Sequence, residues 1–254
     1  MIPYTPHPVL FSIGPVVIRY YSLAYLLGFV FGYVALRKRF GKERAEDLLA
    51  WIVLAIIVGG RLGYVFLYAP QLLWTDPFEI LMIWHGGMSF HGGLIGLVGA
   101  IWLYSRRTRV SMPALLDTLA VPGALALGLG RIANFLNGEL VGIVSDVPWC
   151  MVFPGYEGCR HPSQLYEALY SFALAAILYW QLTRTKVHKD RAGFIAALFV
   201  SLYGLFRFLA NFLREDPRVL GLSEGQFLSL SMLVIGLWLL GTKYKSELRR
   251  CMQR

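Results

Sequence analysis

A chain of 254 residues in which 57% are hydrophobic and only 15% charged is too apolar to fold as a soluble globular protein. Its formal net charge of +9 therefore points to contact with anionic lipid headgroups and not to nucleic acid. The chain is read as an all-α integral membrane protein.

Crossing about 30 Å of hydrocarbon takes roughly 17–25 apolar residues. Such stretches fall near 17–36, 48–68, 86–104, 113–130, 163–182, 193–212 and 224–242, which predicts about seven transmembrane helices. No Lys or Arg precedes Arg19 and the first apolar span is too long for a signal-peptide core, so no cleavage is expected. The third span opens on Gly86-Gly87 and is interrupted by Gly92-Gly93. It is expected to enter as a broken helix whose break lines a cavity, because irregular backbone at membrane depth must be satisfied by protein or water. With no internal repeat and no soluble domain, residues 1–254 read as a single polytopic membrane domain with a periplasmic loop region around 131–162.

Orientation follows from the basic residues. Arg37, Lys38, Arg39, Lys42, Arg44, Arg106, Arg107, Arg109, Arg184, Lys186, Lys189, Arg191, Lys243, Lys245, Arg249, Arg250 and Arg254 make up 17 of the 24 and mark the cytoplasmic side. The N-terminus is then outside and the C-terminus inside. The remaining seven, Arg19, Arg61, Arg131, Arg160, Arg207, Arg214 and Arg218, all fall toward the outer face. Arg19, Arg160 and Arg218 read as interfacial residues whose heads snorkel to water.

The run Gly130 to Glu139 follows about seventeen nearly uncharged residues and carries Arg131, Asn134, Asn137 and Glu139. Ionisable groups at the end of a lipid-embedded segment are costly unless paired or facing a wet cavity, so they are candidates for function. Span directions bring Arg61, Arg131 and Arg207 to the level of Tyr21 and His91, with Glu139 and Glu167 as the nearby carboxylates. This predicts an outer-leaflet pocket for an anionic headgroup, phosphate above all, whose oxygens suit forked guanidinium groups.

The five histidines, at 7, 85, 91, 161 and 188, show no metal-ligand spacing, and no nucleophile elbow or phosphate-binding Gly-rich loop is present. No metal or cofactor is expected. Cys150 and Cys159 lie in the outer loop, where a disulfide is permitted, whereas Cys251 reads as a cytoplasmic thiol.

The segment Gly130-Arg131-Ile132-Ala133-Asn134-Phe135-Leu136-Asn137-Gly138-Glu139-Leu140, followed by Gly142, strongly resembles the signature of the prolipoprotein diacylglyceryl transferase family. Further matches are Arg19-Tyr20-Tyr21 with Gly28, Gly59-Gly60-Arg61-Leu62-Gly63-Tyr64, Gly87-Met88-Ser89-Phe90-His91-Gly92-Gly93, His161-Pro162-Ser163-Gln164-Leu165-Tyr166-Glu167, and Tyr203-Gly204 with Arg207. The resemblance implies a seven-helix inner-membrane enzyme that moves the diacylglyceryl group of phosphatidylglycerol onto the lipobox cysteine of a prolipoprotein signal peptide, releasing glycerol 1-phosphate. It implies roles in activity for Tyr21, His91, Arg131, Asn134, Gly142, Tyr203 and Arg207. A monomer is expected. The chain departs from the family pattern at Val141-Gly142-Ile143, where Trp-Gly-Arg is common, and at Asn211, where an acidic residue often stands four positions after the arginine of span six.

Chemically, a thiol with a pKa near 8.5 needs a base, and a neutral imidazole at His91 suits that role. The departing phosphate gains negative charge, which Arg131 and Arg207 would stabilise in a low-dielectric pocket, with Arg61 contributing to headgroup binding. Asn134, Asn137 and the tyrosine hydroxyls would orient headgroup oxygens, and Glu139 would fix an arginine. The competing readings are a transporter of an anionic solute and a transferase with another acceptor.

Overall fold

The computed structural model describes residues 2–14, 16–184 and 191–252. Lys186, His188, Lys189 and Arg254 lie outside the described residues. Long helices dominate: α1 (Tyr20–Phe40), α2 (Lys42–Tyr68), α3 (Phe90–Thr108), α4 (Met112–Asn137), α5 (Ser163–Arg184), α6 (Phe194–Ala210), α7 (Glu224–Thr242) and the short α8 (Lys245–Met252). Among the described residues four stretches are long and apolar enough to cross a membrane: α2, α4, Phe194–Leu213 and α7. Their outward surfaces fit lipid, with Leu54, Leu62 and Phe66 of α2 and Val234, Ile235 and Trp238 of α7 all exposed.

The helices stop where the backbone demands it. Gly41 (φ 90°) separates α1 from α2, Arg109 (φ 59°) closes α3, and Gly138 (φ 71°) follows α4. At the start of α7, Ser223 and Gln226 form a capping box. Among the described residues three two-stranded sheets, absent from the all-α reading, lie in the connections: β1 (Ile2–Pro3) pairs in parallel with β4 (Met151–Val152), β2 (Val9–Ile13) forms a hairpin with β3 (Val16–Arg19), and β5 (Arg218–Val219) pairs with β6 (Leu222–Ser223). They are too short for a periodic signal in the sequence.

The chain divides into two compact units, 33–115 and 1–32 with 116–254. In the first, α2 and α3 meet through glycines. A Cβ on Gly92 would stand 2.2 Å from the Gly59 oxygen, and one on Gly96 would stand 2.1 Å from the Ala55 oxygen. This corrects the expectation of a broken third helix. α3 is continuous, and its glycines serve close backbone approach; its entry is set by Ser89, whose hydroxyl accepts from the Gly92 amide at 3.3 Å.

In the second unit Ala120 and Ala124 of α4, Leu174 and Leu178 of α5, Phe194 and Ile195 of α6 and Leu240 of α7 form the core. The buried Asp117 of α4 caps α6, its carboxylate accepting from the amides of Gly193 at 2.7 Å and Ala196 at 2.8 Å. One boundary differs in a way that matters. α4 runs to Asn137, seven residues past the end of the apolar stretch, so the loop region begins at Gly138 and not at 131. Polar residues prolong a helix when the protein supplies their partners, and here it does.

Candidate functional site

Because α4 continues, Arg131 and Asn134 are three residues apart on one helical face, and the Arg131 guanidinium donates to Asn134 Oδ1 at 3.2 Å. Arg131 Nε lies 3.0 Å from Oε2 of Glu167, which α5 presents one turn from its start. The Arg207 guanidinium, from the last turn of α6, donates to the same oxygen. Arg214, just beyond α6, donates to the other oxygen, Oε1, at 2.8 Å. Glu167 is wholly buried at the centre of three guanidinium groups. A buried carboxylate is tolerable only when paired and hydrogen-bonded, and this one is paired three times.

Exposure divides the arginines by task. The side chains of Arg131 and Arg207 retain 18% and 15% of their surface, while Arg214 retains 7%. Arg214 is further held by Asp216, at 2.9 Å from Nε and 3.2 Å from the terminal nitrogen. Burial works against the Arg214 charge, but the Asp216 hydrogen bond and the Glu167 charge outweigh it and raise its pKa. Burial would likewise raise Asp216, yet the hydrogen bond and charge of Arg214 hold it below the usual carboxylate range. Arg214 is thus a fixed strut, and Arg131 and Arg207 are the cations with an open face.

A second cluster adjoins through Asn134. Its Nδ2 donates to Glu139 Oε1 at 2.8 Å and to the Tyr21 hydroxyl, and that hydroxyl donates to the same Glu139 oxygen. Asn137 donates to Glu139 Oε1 at 3.3 Å, and Gln164 donates to the Glu139 backbone oxygen at 2.6 Å. Asn134 therefore bridges a basic side and an acidic side. Tyr203 joins through rings: it stacks on Phe199 and lies 6.2 Å from Tyr170, whose hydroxyl is 3.5 Å from Glu167 Oε2.

Gly142 is set by sterics. Its amide donates to His161 O at 2.9 Å and its carbonyl accepts from Arg160 at 3.1 Å; a Cβ there would stand 2.5 Å from Leu213 O. Only glycine lets these strands approach, and the approach seats Arg214 beside the cluster. Arg160, read as interfacial, is instead buried, bonded to Gly142 and to Glu215. The neighbouring Cys159 is joined to Cys150, with Cα atoms 5.5 Å apart.

The other compact unit holds Arg61 and His91. His91 is exposed in the first turn of α3, its ring edge-on to Phe90. Arg61 is buried, and its donors are taken up by the carbonyls of Glu79, Ile80, Gly86 and Gly87. That engagement runs against the headgroup-binding role read from the sequence. Arg214 and Asp216 received no role in that reading, and Glu167 only that of a nearby anion. A lone carboxylate inside an apolar helix was the available signal for Glu167.

A family model described as prolipoprotein diacylglyceryl transferase matches residues 8–242. The chain belongs to this family. Phosphatidylglycerol–prolipoprotein diacylglyceryl transferases of Phenylobacterium zucineum, Azospirillum brasilense and Vibrio cholerae are 42%, 45% and 42% identical to it, over 94%, 91% and 95% of this chain and 93%, 92% and 93% of theirs. Arg131, Asn134, Glu139 and Gly142, which carried the resemblance to the transferase family, lie together in one compact unit with Tyr21, Tyr203 and Arg207. At Asn211, where family members often carry an acid, the side chain donates to Ser223 Oγ at 2.9 Å, and Arg207 takes its carboxylate from Glu167.

Proposed function

We propose that this chain transfers the diacylglyceryl group of phosphatidylglycerol to the lipobox cysteine of prolipoproteins. The names of its relatives support this reaction over anionic-solute transport. The structural observation that carries it is the convergence of Arg131 and Arg207, each with an open face, on one buried carboxylate oxygen. Glu167 prevents two like charges from repelling each other apart and aims both forks at the same space.

In the reaction the thiolate sulfur attacks a glycerol carbon, an S–C bond forms, and the C–O bond to phosphate breaks. Glycerol 1-phosphate departs with the electron pair. Arg131 and Arg207 stabilise the charge that develops on the leaving phosphate, worth more in a poorly hydrated site than in water. Asn134, whose amide donates to Glu139 and Tyr21 and accepts from Arg131, holds the Arg131 guanidinium in place for the headgroup. Asn137 and Gly142 shape that side, Tyr203 walls the pocket, and His91 accepts the thiol proton; this last role rests on the resemblance and on thiol chemistry. The setting is a bacterial inner membrane, crossed seven times by a single monomeric domain, with the N-terminus and the site periplasmic and the C-terminus cytoplasmic. The basic residues of the inner loops support that orientation.

Purified protein given phosphatidylglycerol and a lipobox peptide should produce a peptide heavier by one thioether-linked diacylglyceryl group. A peptide left unmodified, or modified equally well with its cysteine replaced by serine, would refute the assignment.

A further inference from the structure

Between α2 and α3 the chain runs through a one-turn helix, Leu72–Thr75, and two 3₁₀ turns, Pro77–Leu81 and Ile83–His85, none with a buried residue. Trp74, Phe78, Leu81 and Trp84 all point away from the protein. Only Leu72, Glu79, Ile80 and Met82 are even half-buried, so core packing holds this segment weakly. A buried side chain from α2 holds it through hydrogen bonds. Arg61 donates from Nε to Ile80 O at 3.0 Å, from one terminal nitrogen to Gly86 O at 2.5 Å and Gly87 O at 3.3 Å, and from the other to Glu79 O. These carbonyls lie at the end of the first 3₁₀ turn and just past the second, and Glu79 O also accepts from the Met82 amide at 3.0 Å. The Glu79 carboxylate, 3.5 Å away, supplies the counter-charge.

The consequence lies two residues further on. Immediately after the clamped Gly87, the Ser89 amide donates to Gly60 O at 2.8 Å, next to Arg61, and the Ser89 side chain caps α3. His91 follows in the first turn, exposed at its ring but with its backbone pinned to α2 by the Arg61 clamp, the Ser89 bond and the Gly59–Gly92 approach. We infer that Arg61 is a positioning residue: by spending its whole fork on the 79–87 segment it sets the α3 N-terminus and so the location of the His91 imidazole. The inference rests on the reading of His91 as the base. Lysine cannot substitute, because an ammonium offers three donors from one point where the clamp needs five spread over a plane.

The test uses the full-length protein in lipid nanodiscs, comparing wild type with Arg61→Lys, Ser89→Ala and His91→Gln in the peptide transfer assay. In Arg61→Lys, kcat is expected to fall on the order of 10- to 100-fold, the scale of a misplaced catalytic group. The KM for phosphatidylglycerol should stay within about twofold, since ground-state lipid binding is untouched. Ser89→Ala, a milder change, should give a smaller loss of the same kind. Hydrogen exchange of amides 79–92 should accelerate in Arg61→Lys while the middle of α2 stays protected. Unchanged exchange across 79–92, or a raised KM at constant kcat, would overturn the inference, the latter returning Arg61 to headgroup binding. If His91→Gln keeps wild-type kcat, the base assignment fails and the inference falls with it. If His91→Gln is inactive while Arg61→Lys turns over normally, the inference alone fails.

Discussion

Glu167 Oε2 is the point on which Arg131 and Arg207 agree, and its burial makes the agreement rigid. Removing one partner of a buried ion pair leaves the others uncompensated, at a cost of about 3–5 kcal/mol. Glu167→Gln should therefore lose stability on that scale, read as a lower thermal midpoint of the purified protein. Arg131→Ala leaves Glu167 two of its three guanidinium partners and should lower the midpoint by less than Glu167→Gln does. Equal stability of wild type and Glu167→Gln would mean that the carboxylate does not organise the cluster.

Asp216 gives this scale a pH signature. Its folded-state pKa lies below the ordinary 3.8, chiefly because the Arg214 bonds and charge outweigh burial. A depressed carboxylate contributes stability that is complete above its unfolded pKa and lost as pH falls through the folded value. The thermal midpoint of Asp216→Asn should thus lie below that of wild type by a constant margin from neutrality down to about pH 4, and the margin should narrow at lower pH. A margin that vanishes already near pH 6 would contradict the Arg214–Asp216 pairing.

At the scale of elements, long apolar runs announced the long helices α1 to α7 seen among the described residues, of which four stretches are long and apolar enough to cross a membrane. Their ends were less legible. The apolar signal stops at Gly130, whereas α4 runs on because Arg131 finds Glu167 and Asn134 finds Glu139, partners far away or across a turn in sequence. The glycine pairs of α3 looked like a break and proved to be a contact surface, since a one-dimensional reading does not show which backbone lies opposite. The site was legible in Arg131, Asn134 and Glu139, which are neighbours in the chain. It was illegible in Arg214 and Asp216, whose roles arise from the turn after α6 folding back on α5. That turn depends on α6 being held in place, and Asp117 caps the first turn of that helix. Asp117→Ala should cost about 2 kcal/mol, the upper range for a lost helix cap, measured as a lower midpoint of unfolding. Unaltered stability would show that α6 does not need the cap.

For the molecule as a whole, helical stretches long and apolar enough to cross a membrane accompany a buried polar cluster in which three guanidinium groups meet a carboxylate. On the proposed function, the exposed apolar helix surfaces suit a substrate that is itself a lipid, and Arg131 and Arg207 are the cations for its phosphate. We propose that Arg131 and Arg207 act together on that phosphate. The direct measurement is a double-mutant cycle on kcat for diacylglyceryl transfer to a lipobox peptide, using Arg131→Ala, Arg207→Ala and the pair. Each single change should cost on the order of 10²–10³ in kcat, and the double variant should lose far less than the product of the two, as groups acting as a unit do. Losses that simply multiply, or single variants that keep wild-type turnover, would contradict it.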